Sequence, residues 1–140
     1  WIRRPLTDSQ LNYAASDVDF LIDLFIEQKR ALTASNKLEW HNEELDFLSL
    51  RIFTPIEYDE DINTGLTKAE EKNLLNKFND IVLHVAELKE INPTMFFSKK
   101  SQKDFLRLAI NEGFEKASSE ITSWRSKLIA EPLGSLFQDY

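Results

Sequence analysis

The sequence predicts an almost wholly α-helical chain. Only three glycines and four prolines interrupt 140 residues, and no stretch alternates apolar with polar side chains for long. Apolar residues instead recur every three to four positions, the period of a helix that buries one face. Two capping boxes, Thr7-Asp8-Ser9-Gln10 and Thr67-Lys68-Ala69-Glu70, mark helix starts. In each, the threonine hydroxyl accepts from a backbone N–H one turn on, and the Gln or Glu reaches back to the threonine N–H.

The first helix opens behind Thr7, with Leu6 placed to staple onto Leu11. Leu11, Ala14/Ala15, Val18, Leu21/Ile22, Phe25 and Leu32 form one face of it, to about residue 32. A second row, Tyr13, Asp17, Phe20 and Leu24, leans apolar as well, so this helix is expected to pack on more than one side. Ser16 with Asp19 is a further capping signal, and a kink or restart is expected there. The next helix covers residues 38–53 and should turn Trp40, Leu45, Leu48 and Ile52 inward. Thr54-Pro55 stops it, because a proline disfavours the helical state in the residue before it. Residues 57–65 form an acidic connector around Asp59-Glu60-Asp61, without the spacing of a calcium loop.

The second capping box opens a long helix to about residue 89, striped by Leu74/Leu75, Phe78, Ile81/Val82, Val85 and Leu88. Asn92-Pro93 starts a short helical turn, since proline is tolerated at the first helical position. Ser98 caps a helix carrying Phe105, Leu106, Leu108, Ala109 and Ile110, which Gly113 ends. One or two short helices around Trp124 and a last one from near Pro132 complete the chain. The division expected is residues 1–53, an acidic linker at 54–66, and a helical domain at 67–140.

Composition narrows the function. No cysteine is present, which excludes disulfides and Cys-based zinc sites, and His41 and His84 are isolated. No run approaches the roughly 18 apolar residues of a membrane span, so no membrane partner is expected, and the Cys-free composition suits a reducing cytoplasm. The net charge of −7 argues against a protein that coats nucleic acid indiscriminately. The charge is uneven, however. Residues 1–40 hold five basic and six acidic side chains, residues 41–66 one and seven, and residues 67–140 eleven of each. The flanks of the acidic middle can therefore still meet phosphates. The first residue is Trp1, with no leader pattern behind it, and a piece of a longer protein is the expectation.

Two blocks carry a family resemblance. Trp1-x-Arg3-Arg4-Pro5-Leu6, followed by Gln10-Leu11 and Tyr13-Ala14-Ala15-x-Asp17-Val18, resembles the end of the catalytic domain of the ribonuclease D family. That family comprises 3′→5′ exoribonucleases of the DEDDy type, with four metal-binding acids and a tyrosine. Trp124-Arg125-Ser126-Lys127-Leu128-Ile129-Ala130-Glu131-Pro132-Leu133, closing with Leu136 to Tyr140, is similar to the end of an HRDC (helicase and RNase D C-terminal) domain. The resemblance implies that residues 1–53 are the terminal helices of an α/β, ribonuclease H-like nuclease domain, and that residues 67–140 form an HRDC-like helical bundle. It further implies two divalent ions, Mg²⁺ or Mn²⁺, clamping a scissile phosphate, with Asp17 a metal ligand and Tyr13 orienting the attacking water. The substrate implied is RNA with a single-stranded 3′ end, tRNA precursors in particular.

The chain departs from the family pattern in two ways. The family's upstream Asp-x-Glu pair and middle Asp have no counterpart, so this chain alone is expected to hold no metal and to hydrolyse nothing. Bacterial members usually carry two HRDC copies, and residues 54–66 leave no room for the first.

The plain readings stay beside these. Tyr13 four residues before Asp17 also suits a core tyrosine and a helix-start acid. Lys99, Lys100, Lys103 and Arg107 form a basic stripe at helical spacing, fit for RNA phosphates or simply for water. Arg125 is a further phosphate candidate with a structural role open to it, and Trp124 reads as core. A non-catalytic helical interaction or nucleic-acid-binding module is the alternative function, and an HRDC region of a helicase is a weaker third. Without a sheet to cover it, the second apolar face of the first helix would be exposed, favouring self-association.

Overall fold

A computed structural model describes residues 4–53 and 64–137, and among them all regular structure is helical. The order is α1 (Asp8–Ser16), α2 (Leu21–Ala34), α3 (Leu38–Phe53), α4 (Lys68–Leu88), α5 (Pro93–Phe96), α6 (Lys99–Glu112), α7 (Phe114–Ser119) and α8 (Ser123–Phe137). The chain divides into two compact units, Trp1–Leu45 and Asp46–Tyr140, so the division falls within α3. Most of the acidic connector lies outside the described residues.

Unit 2 is organised around α4. Its Leu74, Phe78, Val82, Val85 and Ala86 are buried, together with Phe105 and Leu106 of α6 and Ile129 and Leu133 of α8. The stripe expected from spacing is thus the buried one, except at its end. Leu88 is exposed, because α4 closes there through a left-handed Glu90 whose neighbour Ile91 N–H reaches back to Ala86 O at 2.9 Å. A chain of aromatic contacts joins the helices: Phe78 to Phe97 and Phe105 at 5.4 and 5.7 Å, Phe96 to Phe97 at 5.1 Å, and Phe96 stacked on Trp124 at 5.6 Å. Trp124 is core, as its place in the sequence suggests. Gln102 is buried among these groups and is satisfied by donating to Phe97 O at 3.1 Å.

The caps form as the sequence predicts. Thr7 and Thr67 each make both halves of a capping box, Asn92 accepts from Thr94 N–H, and Ser98 accepts from Ser101 N–H. Gly113, at φ 94°, turns the chain directly from α6 into α7, a conformation L side chains avoid.

Several elements differ from expectation. The first helix breaks into α1 and α2, but Ser16 caps neither. Its Oγ donates back to Asn12 O at 3.0 Å, and Phe20, at the N-cap of α2, supplies no side-chain cap. Residues 114–119 form a helix of their own that spacing did not separate. No helix begins at Pro132; α8 runs through it, with Ile129 and Leu133 fully buried on either side. Burial of that face outweighs the one backbone bond the ring removes. On α3 the side chains expected inward are not: Trp40 is half-buried, while Leu45, Leu48 and Ile52 are exposed.

Candidate functional site

Tyr13 and Asp17 stand one turn apart on unit 1. Tyr13 lies on α1, and Asp17 is its C-cap, still helical at φ −65°, ψ −21°, with its N–H donating to Tyr13 O at 3.0 Å. Residues four apart on a helix lie on one side of it, so the phenol and the carboxylate share a face. Both residues are exposed. Asp17 closes a helix rather than opening one, since α2 does not begin until Leu21. A carboxylate is a hard oxygen donor of the kind Mg²⁺ and Mn²⁺ prefer. Asp17 thus fits as one ligand of such an ion. Among the described residues, however, no three His, Cys, Asp or Glu come together to hold a metal.

The cations of the basic stripe lie on α6 in unit 2. Lys99 Nζ donates to Asn79 Oδ1, Lys100 pairs with Asp104 at 3.0 Å, and Arg107 Nε donates to Glu71 Oε1 at 3.0 Å in a half-buried contact tying α6 to α4. Lys103 is exposed. Three of the four cations therefore have acceptors within the protein, and the field they offer to phosphates is reduced accordingly.

Arg125 lies elsewhere, on α8. Its guanidinium sits 5.3 Å from the Trp124 ring and 5.9 Å from that of Phe97, and it donates to Met95 O at 3.0 Å. Arg51, at the end of α3, borders the same cavity as Arg125. It lies 4.6 Å over the Phe47 ring and donates to Glu120 O at 3.4 Å. Sequence reasoning gives Arg51 no role. The available signal was Phe47 and Arg51 at i, i+4, in line with Trp40 on the same side of α3.

Among the described residues, two groups have displaced proton affinities. Hydrogen bonds from the Thr67 hydroxyl and backbone N–H hold the Glu70 carboxyl below its ordinary value. The Glu120 carboxylate, bonding to Lys116 and attracting its charge, raises the Lys116 ammonium above its own. No helix among the described residues is long and apolar enough to cross a membrane.

Comparison with known proteins gives partial matches. The chain is 42% identical over 60 residues to Ribonuclease D of Xanthomonas oryzae pv. oryzae, a match covering 43% of this chain and 15% of that protein. It is 48% identical over 44 residues to Ribonuclease D of a Shewanella species, covering 31% and 11%. To Ribonuclease D of Nitrobacter hamburgensis it is 41% identical over 49 residues, covering 35% and 13%. The matches thus span at most 15% of the length of these curated relatives. No protein-family model and no solved structure matches the chain. Over the matched stretches, this chain is a sequence relative of ribonuclease D.

Proposed function

We propose that this chain is the C-terminal part of a ribonuclease D-like 3′→5′ exoribonuclease that trims RNA 3′ ends in the cytoplasm, tRNA precursors among them. The observation that carries the reading is the pairing of Tyr13 with Asp17 on one side of α1, in a chain related to proteins named Ribonuclease D. In the complete protein two divalent ions would supply charge stabilisation at the scissile phosphate. Asp17 would contribute one carboxylate to hold them, and the Tyr13 phenol would orient the attacking water by a hydrogen bond. The other three acids would come from outside this chain. Unit 2, as an HRDC-like domain, would help hold the RNA. The lysines of α6 suit that task less well than their spacing suggests, because three of the four stripe cations already have partners.

The test uses the complete protein and the present chain side by side. On an RNA with a single-stranded 3′ tail, the complete protein should release nucleotides only with Mg²⁺ or Mn²⁺. Asp17→Asn should lower activity by more than the roughly 10–100-fold that even indirect changes at metal sites produce. Tyr13→Phe should lower kcat with KM little changed, as expected for a group acting mainly in the transition state. The present chain should release nothing. Metal-dependent hydrolysis by this chain that survives both substitutions would refute the assignment.

A further inference from the structure

We draw no further inference here: the strongest candidate, the open groove between α2 and α3 in unit 1 lined by Phe25, Leu32, Leu38 and His41, carries nothing, because nothing in the structure shows what covers it.

Discussion

Asp17 is placed where a carboxylate does a helix no good. It caps the C-terminus of α1, where the backbone dipole presents its negative end, and the last turn of α1 contains no basic residue. A residue selected for helix stability would be asparagine or a cation. A metal ion bound in the complete protein would reverse that electrostatic penalty. Asp17→Asn should therefore leave the thermal stability of this chain unchanged or raised, while the same substitution abolishes activity in the complete enzyme. That opposition is the usual mark of a residue retained for chemistry at the expense of stability. A clear fall in melting temperature would instead assign Asp17 a structural role. That Tyr13 and Asp17 share a helix face was legible in the sequence, because that geometry is local to one helix turn. The placement of Arg51 was not, since it depends on which distant residues share its cavity.

At the scale of the element, caps that the sequence announces fix where several helices start. Thr67 opens α4, the helix that carries much of the buried core of unit 2, and accepts from Glu70 N–H while Glu70 reaches back to both Thr67 donors. Thr67→Ala should cost about 1 kcal/mol, the ordinary worth of a threonine cap, measured by urea unfolding. The pH dependence gives a second reading. The folded-state pKa of Glu70 is depressed, so its contribution is present above the unfolded carboxyl value and is lost as pH falls through the lower folded value. Removing the Thr67 hydroxyl should flatten that part of the stability profile, whereas a parallel profile in the variant would show the bond to be immaterial. Helix starts were legible because a cap is a contact between residues three apart. Helix ends and continuity were less so: α8 passes through Pro132 because buried Ile129 and Leu133 hold it, a tertiary effect that overrides local preference. The independent start of α7 depends on Gly113, whose positive φ begins a helix as readily as it ends one.

The whole molecule is unevenly built. Unit 2 contains a core in which Leu74, Phe78, Phe96, Leu106, Ile129 and Leu133 are essentially sealed from water, whereas α1 and α2 contain no buried residue. Their apolar side chains face solvent instead, Phe20 at 75%, Ile22 at 71% and Phe25 at 61% exposure. The sequence anticipates this in the two apolar rows of its first 32 residues, which need covering on two sides. It could not show which cover is supplied, because the partner surface is not written in these residues. Apolar side chains exposed in this number favour contact with another protein surface or self-association. If the chain belongs to a larger nuclease as proposed above, a sheet outside it would supply the cover. Alone, the chain should self-associate, with a sedimentation coefficient that rises with protein concentration. Replacing Phe20 and Ile22 together by serine should suppress that rise and leave the unfolding of unit 2 unchanged, since neither side chain is buried. Hydrogen exchange provides the internal control: amides of α4 and α6 should stay protected at every concentration, and those of α1 and α2 should gain protection only as the chain associates. A monomer at all concentrations, with α1 and α2 protected as strongly as α4, would mean that unit 1 is stable without a covering partner.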